Sequence, residues 1–283
     1  YSELSGVLKY IDINIVPHIN DKNTAGQDLL NLFFTTFNKY VGKSDKNQAF
    51  TPDHICGFMS KVVGVNKNSR VLDPCCGSGA FLVRAMTDGM DDCETEDERE
   101  KVKQEQIFGI EYEEGAFGLS STNMLIHGDG NSNVVQDSLF NRGKWVEDSN
   151  INVVLMNPPY NATKKFCDPN YTKNWKGNKK EDPSKGFHFV EWVARHVSPM
   201  CKMAVLLPMQ SAIGTSADVK EFKKKMLDKY TLDAVFSLPV EIFYPGAAAV
   251  AVCMIFDLSQ KHSKANKETF FGYYRDDKFT KRK

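Results

Sequence analysis

The 283-residue chain lacks a net charge, since 36 lysines and arginines meet 36 aspartates and glutamates. So balanced a chain is not, as a whole, an electrostatic magnet for nucleic acid. It also lacks a long apolar run. The longest, residues 246–256, is 11 residues, well short of the ~20 that a membrane span needs. A membrane protein is not expected, and neither is a membrane partner. Cysteine is present without pattern. The seven cysteines (56, 75, 76, 93, 167, 201 and 253) form no Cys-x-x-Cys and have no paired histidine spacing. This argues against a disulfide framework or structural zinc. They read as reduced, buried thiols of a cytoplasmic protein, and no metal is expected. No signal-peptide pattern opens the sequence, and a chain that begins at Tyr1 reads as trimmed.

What is present is the composition of a folded globular chain, 41% apolar and 25% charged, long enough for one large domain or two small ones. The charges are segregated. Residues 88–105 hold nine acidic and three basic residues, whereas residues 161–185 hold seven lysines and three acidic residues. A polyanion would approach the second segment and avoid the first. Residues 91–105 read as an acidic loop or a solvated helix.

Apolar positions Leu29, Phe33 and Phe37 recur every four residues and predict an amphipathic helix over 25–41. Thr51-Pro52-Asp53 opens another, with Thr51 as N-cap, Pro52 at the first helical position, and a stripe of Ile55, Phe58, Met59 and Val62. Beyond residue 69, short β-prone runs (70–73, 106–111, 151–156, 202–207, 231–237, 250–257) mostly alternate with helical stretches (78–90, 113–126, 186–197, 217–230). That alternation predicts βαβ units and a mainly parallel sheet covered on both faces. The last two strands, joined through residues 238–249, predict a less regular edge.

The first strand empties into Asp73-Pro74-Cys75-Cys76-Gly77-Ser78-Gly79. Two glycines allow a sharp turn and close backbone approach to a ligand, which would also meet a helix N-terminus. The loop lacks the third glycine of a dinucleotide fingerprint and is no phosphate loop. Asp73 suits a cation and repels phosphate. Glu111, ending the second strand, suits paired ribose hydroxyls. Two readings stand at this point: a site for a cationic nucleoside, of which S-adenosylmethionine is one, or a structural turn. A later strand empties into Asn157-Pro158-Pro159-Tyr160. The prolines stiffen the loop and withhold donors, so Asn157 and the neighbouring carbonyls form rigid acceptors suited to an amino group, and Tyr160 offers an aromatic face. The plain alternative is a Pro-Pro turn.

At these residues the sequence resembles the S-adenosylmethionine-dependent amino-methyltransferases of DNA, specifically the adenine-N6 enzymes. Residues 73–82 resemble their cofactor motif and residues 157–160 their catalytic motif. Phe50-Thr51-Pro52 resembles the cofactor-contacting motif that comes first in the gamma ordering. Residues 202–208, Leu238-Pro239 and Phe243 resemble the later strands of the modification subunit of type I restriction–modification systems. The likeness spans about residues 27–257.

The resemblance implies a Rossmann-like α/β fold with a mostly parallel seven-stranded sheet and helices on both faces, preceded by a small helical segment. It divides the chain into an N-terminal helical segment (1–50), a catalytic domain (51–260) and a C-terminal strand and tail (261–283), which reads as cut short at Lys281-Arg282-Lys283. It implies S-adenosylmethionine as cofactor, with Phe50, Thr51, Asp73, Cys75, Gly77, Ser78, Gly79, Glu111, Asp137 and Asn157 at its site. Thr51, Asp73, Gly77 and Gly79 would face the methionine end, Glu111 the ribose, and Asp137 the adenine amino group. Asn157, Pro158, Pro159 and Tyr160 would be catalytic, with Tyr160 stacking on a flipped adenine of double-stranded DNA. Phe243 is a second stacking face or a core phenylalanine.

Segment 161–185 is longer and richer in lysine than that family's pattern. Lys164, Lys165, Lys173 and Lys176, interleaved with aromatics, either track a DNA backbone or belong to a solvated mobile loop. No target-recognition domain is evident, so a separate recognition subunit or domain is implied, with a restriction subunit as a further partner. Two other functions compete: methylation of a protein glutamine or an rRNA base, and a non-catalytic assembly subunit of the same fold.

Overall fold

The computed structural model describes residues 51–129, 133–175, 178–240, 242–243 and 250–275, with 5–6, 9–10 and 13–14 before them. The helix expected over 25–41, Phe50 and Lys176 lie outside the described residues.

Eight strands form one sheet: β1 (Val71–Asp73), β2 (Ile107–Glu111), β3 (Asn133–Gln136), β4 (Val153–Met156), β5 (Lys202–Pro208), β6 (Thr231–Ser237), β7 (Ala251–Asp257) and β8 (Phe270–Tyr273). Their order is β3-β2-β1-β4-β5-β7-β6-β8, and β7 runs antiparallel to both its neighbours while the other pairs are parallel. Seven strands were expected. β7, read from its sequence as part of an irregular edge, is inserted between β5 and β6, and the outer position falls to β8.

The central strands β1, β2, β4, β5 and β7 are nearly continuous apolar runs because both their faces are covered. Val71, Ile107, Val153 and Ala204 face one layer, built by α1 (Asp53–Val63), α2 (Ala80–Asp91) and α4 (Glu114–Ile126). Leu72, Phe108, Val154 and Met203 face the other, built largely by α7 (Phe187–His196) and α9 (Ala217–Lys229). The acidic stretch forms α3 (Glu96–Glu105), closed at its start by a Thr95–Glu98 capping box. Only Val102 of this helix is buried, so it is a solvated helix on the first layer.

One expectation for α1 fails and the other holds only in part, since Ile55 and Met59 are buried and Phe58 packs on the core. Pro52, not Thr51, takes the N-cap position, and its carbonyl accepts the Ile55 and Cys56 amides. Thr51 is one residue too early to cap, and its side chain is used elsewhere. The buried stripe is Ile55, Cys56, Met59, Ser60 and Val63, and Val62 is 38% exposed. The helix is rotated because the small Cys56 and Ser60 pack closely on the body, which hydrophobicity alone does not rank.

The strand order reverses between β1 and β4, the switch point at which open α/β sheets bind ligands. Beneath it, Gly109 in β2 leaves no room for a side chain. An added Cβ would lie 2.7 Å from the Leu82 Cδ1 atom and 3.1 Å from the Cys76 Sγ atom. Gly109→Ala should therefore lower stability by about 1–3 kcal/mol through overpacking, read as a fall in Tm by scanning calorimetry. An unchanged Tm would mean the layer yields freely.

Candidate active site

Four strand ends converge at the switch point. β1 ends in Asp73, β2 in Glu111, β3 leads into Asp137 and β4 into Asn157. They surround a cavity of about 660 Å³, within the ~300–1,000 Å³ range of small-molecule sites. Of the residues singled out from sequence, Thr51, Asp73, Cys75, Gly77, Ser78, Glu111, Asp137, the whole 157–160 loop, Lys165 and Phe243 line it.

The glycine loop is held from beneath. Gly77 and Gly79 have φ of 52° and 84°, the left-handed region that side chains avoid. Gly79 is also the N-cap of α2, which aims that helix's N-terminus at the cavity rim. The Asn123 amide donates to the Ser78 carbonyl at 2.9 Å. The Gly77 amide donates to Glu111 Oε2 at 2.9 Å, and the Glu113 amide to Oε1 at 2.8 Å. Glu111 thus fixes the loop while its remaining lone pairs stay available.

Asp73 is 1% exposed, and its Oδ1 accepts the Cys75 amide at 3.1 Å. Burial pushes its carboxyl up to about 8 against that hydrogen bond, and the charge of Glu111 raises it further. A buried carboxyl of this kind favours a cation beside it. Burial likewise pushes the Cys75 thiol well up, so it is not a nucleophile. Asp137 differs. Partial burial would raise its pKa, but hydrogen bonds from Asn141 (2.9 Å), the Ser138 amide (2.7 Å) and Arg142 (2.7 Å) hold it below the usual carboxylate range.

Asn157 is half-buried, and its Nδ2 donates to Thr51 Oγ1 at 3.1 Å. Pro158 is buried behind it and Pro159 is exposed. The loop is braced by Gly186, whose φ of 93° and whose missing Cβ, 3.3 Å from Pro158 Cγ, let α7 start against it. Tyr160 is half-buried with its hydroxyl enclosed, and burial raises its pKa. Phe243 is 4% exposed, at once a core residue and part of the cavity wall.

The described residues of 161–185 pack against the body rather than forming a free loop. Asp182, fully buried, accepts from the Tyr171 hydroxyl, the Ser184 amide and hydroxyl, and the Gly186 amide, all at 2.8–2.9 Å. His188 is stacked between Tyr171 and Phe140 with centroids 4.0 and 4.9 Å away. Burial keeps His188 neutral, its pKa pushed down to about 3. Lys165 lies 4.1 Å over the Phe166 ring at the cavity, Lys164 lies 5.8 Å over Trp175, and Lys173 is exposed. Sequence reasoning missed Tyr112, which forms an edge-to-face pair with Phe166, 5.1 Å apart on the cavity wall, and the Asp182 and His188 anchor. Tyr112 sits beside Glu111 and was findable. Asp182 makes a local turn with Ser184 and Gly186, and its Tyr171 partner comes to it only on folding.

Comparison with known proteins fits this geometry. The family model for N-6 DNA methylases matches residues 26–283. The chain belongs to the N-6 DNA methylase family. It is 32% identical over 282 residues to the type II restriction enzyme and methyltransferase RM.BcgI of Heyndrickxia coagulans, covering 98% of this chain and 42% of that protein. It is 26% identical over 197 residues to the type I restriction enzyme EcoEI methylase subunit of Escherichia coli, covering 69% of this chain and 39% of that one. The chain thus spans about two fifths of the length of these relatives. The type I restriction-modification methyltransferase subunit from Streptococcus thermophilus superposes with a TM-score of 0.66 at 20% identity, covering 94% of this chain and 55% of that one. The fold is that of the S-adenosylmethionine-dependent methyltransferases.

Folding raises the Asp73 pKa from its ordinary 3.8 to about 8, so the folded state holds this proton more tightly than the unfolded chain. Its effect on stability is therefore most favourable below about pH 4 and is lost as pH rises toward 8. Asp73→Asn keeps the shape and removes that dependence. Its Tm advantage over wild type should grow between pH 5 and pH 8 by roughly 4 °C or more. A difference independent of pH would mean the carboxyl is ionised throughout.

Proposed function

We propose that this chain is the catalytic part of an S-adenosylmethionine-dependent DNA methyltransferase acting on the exocyclic N6 of adenine. The observation that carries this is the opening of Asn157-Pro158-Pro159-Tyr160 into the same cavity as Asp73 and Glu111. The cofactor's chemistry fits the donor set. Asp73 is a buried carboxyl that gains from a neighbouring cation, Glu111 retains acceptor capacity for ribose hydroxyls, and the glycine turn has no Cβ to obstruct close approach. Asp137 would accept from the adenine amino group through lone pairs its present partners leave open. When bound, S-adenosylmethionine supplies a methyl group already activated by the sulfonium.

The chain's own residues then address the weak partner. An exocyclic aromatic amine is a poor nucleophile because its lone pair is conjugated with the ring. The Asn157 side-chain carbonyl and the Pro158 main-chain carbonyl would accept its two N–H bonds, draw the nitrogen toward tetrahedral geometry and aim its lone pair. Prolines at 158 and 159 place no amide N–H there to compete. Alignment of this kind accounts for much of the rate. The target atom is inaccessible in a duplex, so the adenine must be flipped out, costing a few kcal/mol. Stacking on Tyr160 returns ~1–3 kcal/mol of this, and Phe243 closes the opposite side.

Lys164 and Lys165 would meet the DNA backbone beside the cavity. A net charge of zero assigns most of the grip and the choice of sequence to a recognition subunit or domain, with a restriction subunit as a further partner. Among the described residues no helix is long and apolar enough to cross a membrane, in keeping with a cytoplasmic site of action.

The test is transfer of labelled methyl from S-adenosylmethionine by the complete enzyme to DNA, RNA and protein pools, with products identified by mass spectrometry. N6-methyldeoxyadenosine is the expected product, and label in RNA or protein instead overturns the reading. Asn157→Ala should keep cofactor binding and lose transfer by about 100-fold or more; parallel loss of both would remove its assigned role. Glu111→Ala should weaken cofactor binding roughly 10-fold or more in titration calorimetry, since it also frees the Gly77 amide. Unchanged affinity would refute the ribose contact.

A further inference from the structure

Thr51 precedes α1 and is separated from Asn157 by 106 residues, yet the Asn157 Nδ2 donates to its hydroxyl at 3.1 Å. Both residues line the cavity. Pro52, not Thr51, stands at the N-cap of α1, and its carbonyl accepts the Ile55 and Cys56 amides. The Thr51 hydroxyl reaches the β4 strand end.

A carboxamide has a donor end and an acceptor end of nearly the same shape, and a rotation of half a turn exchanges them. Only the acceptor end suits an amino group. The donor end would set N–H against N–H. Pro158 and Pro159 carry no amide hydrogen to hold the Asn157 oxygen. With Nδ2 committed to the Thr51 hydroxyl, Oδ1 is the end left for a ligand. We propose that Thr51 is a positioning residue for methyl transfer, holding the Asn157 side-chain amide with its oxygen turned to the target amine. This rests on the function proposed above and differs from the cofactor contact that the resemblance gives Thr51, because it places the effect on turnover.

Thr51→Val removes the hydroxyl at nearly constant shape, Thr51→Ser restores it, and Thr51→Ala repeats the deletion should valine overpack the site. The first readout is the side-chain amide resonance of Asn157 in the complete protein labelled with 15N-asparagine, assigned by its absence in Asn157→Asp. It should shift and exchange faster with water in Thr51→Val and return to the wild-type position in Thr51→Ser. The second is methyl transfer to DNA at saturating cofactor, with cofactor affinity from calorimetry beside it. Thr51→Val should lose about 10-fold in kcat while its cofactor Kd changes by less than about 3-fold, and Thr51→Ser should recover the rate. An unchanged Asn157 resonance in Thr51→Val overturns the proposal, as does a loss of rate that vanishes at saturating cofactor. A wild-type protein that methylates no DNA overturns the function instead, and that failure is read independently of the resonance.

Discussion

The parallel pairing of β1 with β2 on one side and β4 on the other is the constraint from which the rest of the molecule follows. Val71 is in register with Ile107 and with Val153, so the three strands finish together at one edge of the sheet. Because strand order reverses there, the loops after β1 and β4 diverge to opposite faces and leave a crevice between them. A slip of one residue in β1 would exchange its two faces. It would turn Leu72 from the second layer into the first and carry Asp73 off the cavity wall. The apolar alternation that fills two cores therefore also sets the positions of the polar residues at the strand ends.

Much of this was legible in the sequence because it is local. Arg70 to Asp73 reads as a strand from its apolar run, the turn from its glycines, and the 157–160 loop from its prolines; in each case the neighbouring residues contain the cause. β3 was not legible. Its Asn133–Gln136 is four residues long, and only one of them is buried, so the strand is made by its pairing with β2 rather than by its own composition. The place of β7 was equally hidden, since its apolar run is the same whether it lies at an edge or between β5 and β6.

The site divided in the same way. Residues at the strand ends were read from motifs, but their supports were not. Arg142 holds Asp137 and Asp182 gathers the lysine-rich segment over short spans, whereas Thr51 meets Asn157 across 106 residues. Thr51 is the most instructive, because a threonine before Pro-Asp has the local look of a helix cap. Its hydroxyl instead meets Asn157, and only the assembled sheet brings β4 to it.

The described residues of 161–185 close around Asp182 through contacts internal to the chain. A segment that orders on binding surrenders chain entropy and buries its own apolar surface at that moment, which registers as a large negative heat-capacity change. Where no such ordering accompanies binding, that signature is absent. Contacts made through Lys164 and Lys165 would then draw chiefly on the release of counterions, and the enthalpy of that association would vary little with temperature. Salt, far more than heat, would set how firmly this face holds a polyanion.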